Sequence, residues 1–241
     1  MSDYLDRHVA AYEGNNLYDF DNEIMLNWYP KQVLKLAGHS RTILELGLGH
    51  GFTTNLLSNY FERHVVLEGS SAVIVNFKKK FAQCRAHLIE TYFENFESHE
   101  KFDVIVLGFI LEHVDNPFQI LNHYKKFLTK DGKMFVAVPN AESLNRRLGH
   151  VAGMLPDIET LSDNDLLLGH KRYYTVTSLA QEMKNAGYEI ERIEGIFMKP
   201  FMSSQLIALK LEPRLLNALC EVGVDYPELS CGVLVQAKAA L

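Results

Sequence analysis

Short runs of apolar, β-branched residues alternate along most of the chain with stretches in which apolar positions recur at helical spacing. The alternation begins near residue 40 and is typical of β-α-β units on a parallel sheet. Each run has the usual length of a strand. The pattern predicts seven strands, at Thr42–Leu46, His64–Glu68, Ala86–Glu90, Phe102–Leu107, Lys133–Val138, Glu189–Phe197 and Gly232–Ala237.

Helical stretches lie between these strands. Pro117 stands at the start of one of them and Gly187 follows the end of another, the positions where these residue types are best tolerated. The pattern predicts crossover helices at Gly51–Tyr60, Ala72–Phe81, Pro117–Leu128 and Val176–Ala186. The predicted fold class is therefore α/β.

Two segments depart from the alternation. Residues 1–40 mix aromatic and acidic side chains and predict a lid, in which Pro30 opens a short helix that stops at Gly38. Residues 140–170 are too long for a simple connection, and long insertions after a strand usually serve substrate recognition. We expect a single domain over residues 1–241, with a lid and a substrate-recognition insertion.

Composition and charge narrow the class of protein. The 241 residues include 24 Lys and Arg against 30 Asp and Glu, a formal charge of −6 that disfavours nucleic acid as a partner. Three distant cysteines, Cys84, Cys220 and Cys231, form no C-x-x-C pair and indicate a reducing compartment. The acidic start and the lack of a long apolar run predict a cytoplasmic protein without a membrane segment. Homodimerisation is left open.

The most informative motif is a glycine loop that follows the first predicted strand. Gly47, Gly49 and Gly51 let the backbone approach a ligand, and the next helix offers free N–H groups to negative charge. Glu68 ends the second strand 21 residues after Gly47, where a carboxylate can accept both hydroxyls of a ribose. Phe52 interrupts the Gly-x-Gly-x-x-Gly fingerprint of dinucleotide sites.

The stretch Glu45–Gly51 resembles motif I of the class I S-adenosylmethionine-dependent methyltransferases. Later segments resemble, in the same order, further landmarks of the small-molecule branch called type 11. These segments are Glu68, Phe102–Val106, Leu111–Pro117, Gly132–Asn140, and His170–Thr175 followed by a helix that ends at Ala186–Tyr188.

This resemblance implies a Rossmann-like three-layer sandwich whose seven-stranded sheet is mostly parallel, with an antiparallel last strand. It also implies S-adenosylmethionine as the cofactor and a small-molecule methyl acceptor as the partner. Glu45, Gly47 and Gly49 would border the methionine part of the cofactor, and Glu68 would hold its ribose.

The adenine end of the implied cofactor site departs from the family. The Asp that the family often has after the third strand is missing, so backbone groups near Tyr92 and Phe93 are expected to replace it. The remaining cofactor-binding candidates are Ser70, Gly108 and Phe109.

Methyl transfer to an oxygen or a protonated nitrogen also requires removal of a proton, and histidine titrates nearest to neutral pH. His113 and His170 are the catalytic candidates because they belong to segments expected at the carboxyl edge of the sheet. Their alternative role is to shape loops. Tyr18 and Tyr173 are candidates for substrate binding, whereas His64 is interpreted as a surface or connection residue.

No metal is expected. Catechol-type relatives need acidic ligands after strands four and five, where Gly108 and Asn140 stand, so EDTA should have no effect. Two other functions stay open beside methyl transfer to nitrogen or oxygen. One is an NAD-dependent oxidoreductase, although the chain has no Tyr-x-x-x-Lys signature, and the other is a non-catalytic subunit that keeps the cofactor fold.

Overall fold

The computed structural model describes residues 19–240, and Tyr18 lies outside them. The strands are β1 Thr42–Leu46, β2 Arg63–Glu68, β3 His87–Glu90, β4 Phe102–Gly108, β5 Leu128–Pro139, β6 Tyr188–Ile196 and β7 Gly232–Ala239. The helices are α1 Asp19–Ala37, α2 Phe52–Leu57, α3 Ser71–Lys80, α4 Pro117–Lys125, α5 Leu144–Val151, α6 Asp163–Leu168, α7 Val176–Asn185, α8 Ser203–Leu209 and α9 Pro213–Val224. The predicted strands and crossover helices are confirmed with shifts of up to three residues at their ends, except that β5 begins at Leu128, five residues before the predicted start.

One sheet of seven strands carries the fold, in the order β3-β2-β1-β4-β5-β7-β6. Strand β7 runs antiparallel to both β5 and β6, and the pairs from β3 to β5 are parallel, so the predicted topology is confirmed. From β1 the chain first adds strands on one side of the sheet, β2 and β3, and then returns to add β4 and β5 on the other side, so the strand order reverses between β1 and β4. Ligands of open α/β sheets bind outside the carboxyl ends of the strands at such a reversal.

Helices cover both faces of the sheet, which gives the predicted three layers. Successive residues of a strand point to opposite faces, so Leu44 and Ile43 of β1 belong to two different cores. Helices α4 and α7 pack into the core around Leu44 through residues such as Ile120 and Leu179. Helix α1 packs into the core around Ile43 through residues such as Val33.

Helix α1 begins at Asp19, so the prediction of a short helix opening at Pro30 is wrong. Pro30 lies inside the helix and cannot donate a backbone hydrogen bond to the carbonyl of Leu26. The hydroxyl of Thr53, in α2, donates to that carbonyl at 3.3 Å instead. A tertiary contact therefore supplies the hydrogen bond that the proline removes.

A buried polar cluster joins α1 to the segment after β6. The ammonium of Lys199 lies 2.5 Å from Oδ2 of Asp21, and the hydroxyl of Ser203 donates to the same oxygen at 2.6 Å. All three side chains are buried. The cluster fixes α1 to the part of the chain that leads into α8, a helix that the sequence pattern does not predict.

None of the helices in residues 19–240 combines the length and the apolar content that crossing a membrane requires.

Candidate functional site

A cleft of about 1250 Å³ opens at the carboxyl edge of the sheet. Residues at the ends of four neighbouring parallel strands line it, among them Gly47 after β1, Glu68 in β2, Gly108 in β4 and Pro139 in β5. The cleft therefore lies at the reversal of strand order, where the fold predicts a ligand.

The glycine loop forms one wall of the cleft. Gly47, Gly49 and Gly51 have φ of 79°, 47° and 79°, backbone conformations that side chains other than glycine rarely adopt. A Cβ at Gly47 would lie 2.7 Å from Cδ1 of Ile110. The loop therefore needs glycine for its backbone conformation and, at position 47, for its close approach to Ile110.

The carboxylate of Glu68 is held in a defined orientation at the end of β2. Its Oε2 accepts from the backbone N–H of Leu48 at 3.0 Å, and its Oε1 accepts from the N–H of Ser70 at 2.8 Å. Carboxylate oxygens each have two lone pairs, so one such group can accept from more than one donor. The hydroxyl of Ser70 is buried and accepts from the N–H of Val73 at the start of α3.

The carboxylate of Glu45 is engaged inside the protein. It accepts from the hydroxyl of Thr54 at 3.0 Å and lies 2.8 Å from Nε2 of His64. The interpretation of His64 as a surface or connection residue is wrong, because its side chain is only 2% exposed. Glu45 still belongs to the lining of the cleft.

Aromatic side chains also line the cleft. Tyr92 and Phe93 follow β3 and line the cleft, and the Phe93 ring lies 3.8 Å from a Cβ built at Gly47. Phe109 follows β4 with a φ of 59° and packs edge-on against Tyr29, with 5.6 Å between ring centroids.

Gly108 lies beside this aromatic pair. A Cβ at Gly108 would lie 2.1 Å from the hydroxyl of Tyr29, so α1 approaches the sheet where the side chain is missing. The predicted cofactor residues of the described chain therefore line one cleft. A cleft with an oriented carboxylate, a glycine loop and aromatic rings fits a nucleoside that carries a charged tail.

A second group of polar residues lines the cleft after β4. The rings of His113 and His170 meet edge to face, with 4.7 Å between centroids, and Glu112 lies beside both. Glu112 is fully buried, and in the described part of the chain neither of its carboxylate oxygens has a hydrogen-bond partner. Burial raises the pKa of Glu112 to about 7, although His170 and Arg172 oppose the shift.

Backbone hydrogen bonds hold this polar group together. The N–H of Lys171 donates to the carbonyl of Glu112 at 2.8 Å. The guanidinium of Arg172 donates to the carbonyls of Leu111 at 2.8 Å and Val114 at 2.5 Å. The turn after β4 and the segment before α7 are therefore joined around Glu112 and His113, directly after His170.

Asp165, in α6, supports His170. Its Oδ1 lies 3.2 Å from Nδ1 of His170, while its Oδ2 accepts from the hydroxyls of Ser162 at 2.6 Å and Tyr173 at 3.0 Å. Burial alone would raise the pKa of Asp165, but its interactions with His170 and Ser162 lower it to about 2. Asp165 therefore stays ionised, with its carboxylate within ion-pair distance of the imidazole.

Tyr173 lines the cleft, where the sequence predicts a substrate-binding residue. Its hydroxyl also accepts from Nη1 of Arg146 at 3.1 Å, and the guanidinium lies 4.2 Å from the centre of its ring. Arg146 and Asp165 are residues that sequence reasoning missed. Both belong to the 140–170 insertion, so its predicted role in recognition was the only signal for them.

Part of the chain is similar in sequence to known proteins. Residues 22–193 match a family model described as a methyltransferase domain. A probable S-adenosylmethionine-dependent methyltransferase of Mycolicibacterium smegmatis is 23% identical over 172 residues, which are 70% of this chain. The match covers 59% of that relative, so this chain corresponds to about three fifths of its length.

Solved structures share the fold. A possible histamine N-methyltransferase from Thermotoga maritima superposes with a TM-score of 0.62 at 16% identity, covering 98% of this chain and 96% of the other. The N-methyltransferase NodS from Bradyrhizobium japonicum, in complex with S-adenosyl-L-homocysteine, gives a TM-score of 0.60 at 13% identity and covers 99% of both chains.

Proposed function

The chain belongs to the methyltransferase domain family and has the class I S-adenosylmethionine-dependent fold, and from this premise we propose that it methylates nitrogen or oxygen of a polar small molecule. The observation that carries the proposal is one cleft with two chemically different ends. A glycine loop and an oriented carboxylate form one end, and a buried group of ionisable side chains forms the other.

The cofactor end is assigned to S-adenosylmethionine. Its sulfonium already activates the methyl group, so positioning can supply much of the acceleration. We assign Glu68 to the ribose hydroxyls, because backbone N–H groups orient its carboxylate. Gly47 and Gly49 leave room for the methionine part, and Tyr92 and Phe93 flank the adenine. Glu45 acts through the loop, since its oxygens bind Thr54 and His64.

The acceptor end is assigned to the polar group after β4. His113, His170 and Tyr173 line the same cleft as the glycine loop, and the carboxylate of Asp165 lies 3.2 Å from Nδ1 of His170. We propose that the accepting atom binds beside the two imidazoles. The names of the Thermotoga maritima and Bradyrhizobium japonicum proteins support nitrogen as the accepting atom, while the same geometry also suits a hydroxyl.

The family match favours this function over the two alternatives. Neither an oxidoreductase nor a non-catalytic subunit receives support from the family model or from the relatives. We further propose that the enzyme works in the cytoplasm, because its scattered cysteines suit a reducing compartment.

The test is methyl transfer by the purified chain. Protein is incubated with S-adenosylmethionine labelled in the methyl group and with separate panels of small amines and small hydroxyl compounds, and labelled product is counted. Transfer to either panel supports the proposal and identifies the accepting atom. Tight binding of S-adenosylhomocysteine without transfer to any acceptor would favour the non-catalytic alternative.

A further inference from the structure

The polar group after β4 has the donor set of a transition-metal site. We propose that Glu112, His113 and His170 bind a divalent transition-metal ion at the acceptor end of the cleft. One carboxylate oxygen and one ring nitrogen of each histidine lie within 4.8 Å of one another. Two imidazoles with one carboxylate suit Zn²⁺, Fe²⁺ or Co²⁺, whereas Mg²⁺ and Ca²⁺ prefer oxygen ligands.

The first support comes from Glu112. Its side chain is fully buried, and no hydrogen-bond partner reaches either oxygen from anywhere in residues 19–240. A buried carboxylate without a partner is costly, and protonation leaves an O–H that also lacks a partner there. A divalent cation between the carboxylate and the two rings compensates both costs, because it binds the oxygen directly.

The second support comes from the residues behind His170. Histidines that bind metals usually donate their other ring N–H to a carboxylate, which fixes the tautomer and the orientation of the ring. Asp165 Oδ1 lies 3.2 Å from Nδ1 of His170, within ion-pair distance although the two atoms are not aligned for a hydrogen bond, so Asp165 is placed to take this role. Ser162 and Tyr173 in turn hold Asp165 in place. With a proton on Nδ1, the lone pair of His170 is on Nε2.

The third support is that the three ligands are held together by the fold itself. The N–H of Lys171 donates to the carbonyl of Glu112, and Arg172 bonds the carbonyls of Leu111 and Val114 on either side of the ligand pair Glu112–His113. These hydrogen bonds fix the turn against the segment that carries His170. A preorganised set of ligands binds a metal with less loss of conformational freedom.

The arrangement is that of a catalytic metal site rather than a structural one. Structural zinc sites use four protein ligands, while catalytic sites use three and leave a position for water or substrate. All three proposed ligands line the cleft. If the proposed function holds, on which this step rests, a donor atom of the acceptor can take that open position beside the cofactor.

This inference departs from the expectation that no metal binds. That expectation considered the positions directly after β4 and β5, where Gly108 and Asn140 stand. The proposed ligands come instead from the turn four residues beyond Gly108 and from His170, which follows α6. Only the folded chain brings these two segments together.

The experiment uses purified protein freed of metal with a chelator and then titrated with Co²⁺, whose visible absorption reports its ligands. We expect one equivalent to bind, with an affinity at least about tenfold lower in Glu112→Gln, His113→Asn and His170→Asn. Asp165→Asn should weaken binding by about tenfold or more while keeping all three ligands. His39→Asn and His87→Asn, at exposed positions, are the matched controls.

Calorimetry with S-adenosylhomocysteine on the same proteins separates this proposal from the proposed function. Retained binding shows that a variant is folded and that its cofactor end is intact. Absence of binding in the unaltered protein would refute the proposed function and leave the metal result standing. The metal proposal is overturned if the unaltered protein binds no stoichiometric Co²⁺, or if the ligand variants and Asp165→Asn bind it as tightly as the controls.

Discussion

Nε2 of His64 lies 2.8 Å from Oε2 of Glu45, and the two side chains come from neighbouring parallel strands and are almost completely buried. The second carboxylate oxygen of Glu45 accepts from Thr54, at the start of the helix that follows the glycine loop. One buried carboxylate therefore connects β1, β2 and α2 beneath the loop. Its role is to hold the loop between two strands and a helix.

Replacing His64 by Ala should destabilise the protein by about 3–5 kcal/mol, because it leaves the Glu45 carboxylate buried with one partner fewer. Urea unfolding followed by circular dichroism measures the loss. His87→Ala is the control, since His87 lies on the adjacent strand β3 but is exposed. A loss no larger than that of the control would mean that the Glu45–His64 pair does not support the fold.

Replacing Glu68 by Ala should weaken binding of S-adenosylmethionine by about 1.5–3 kcal/mol, the range for hydrogen bonds to a charged group. Isothermal titration calorimetry measures the change. Glu90→Ala is the matched control, because Glu90 is the exposed register partner of Glu68 on β3. Unchanged cofactor affinity, or an effect on the acceptor alone, would show that another residue holds the ribose.

Replacing Gly49 by Arg should abolish binding of both S-adenosylmethionine and S-adenosylhomocysteine. The new side chain would enter the cleft, and the φ of 47° at Gly49 disfavours any side chain. Gly153→Arg controls for the backbone effect, since Gly153 has a φ of 72° and open space around it. Equal affinity for S-adenosylhomocysteine in both variants would contradict the assignment of the loop.

Replacing Asp103 by Asn should destabilise the protein near neutral pH. The loss in free energy of unfolding should become smaller as the pH is lowered. Burial opposes ionisation of Asp103, but the backbone N–H groups of Arg41 and Thr42 and the hydroxyl of Thr129 donate to its carboxylate and lower its pKa below the usual 3.8. A depressed folded pKa contributes stability above the unfolded value, and this stability is lost as the pH falls through the folded pKa.

Urea unfolding of both proteins at about pH 7 and about pH 3 measures this difference. Asp131→Asn, at an exposed position, is the control for removing one negative charge. If the difference in free energy of unfolding between Asp103→Asn and the unaltered protein stays constant over the whole pH range, the ionised carboxylate is ruled out as the cause.

The strands were predictable because each carries its own signal. Val104, Ile105 and Val106 are apolar, β-branched and fully or almost fully buried, so their burial agrees with their local preference. The extent of α1 was not predictable, since a proline normally ends or opens a helix. Only the fold brings the hydroxyl of Thr53 to the carbonyl that Pro30 leaves without its donor.

The cofactor end of the site was also predictable, because a glycine loop and an acid at a strand end are local motifs. The acceptor end of the site was less predictable from the sequence. His113 and His170 could be suggested one by one, but their contact depends on how the insertion folds back over the sheet. Asp165 gave no sign of a role at the site, since the spacing Ser162-x-x-Asp165 before an apolar run is typical of a helix start, and its proximity to His170 appears only in three dimensions.

The buried cluster of Asp21, Lys199 and Ser203 has a consequence for how the chain is made on the ribosome. Asp21 is synthesised 178 residues before Lys199, so the helix that carries it emerges long before its partner exists. Lys133 likewise donates to the carbonyl of Leu36 across a separation of 97 residues. The cluster therefore cannot close around Asp21 until the chain has been made through Ser203.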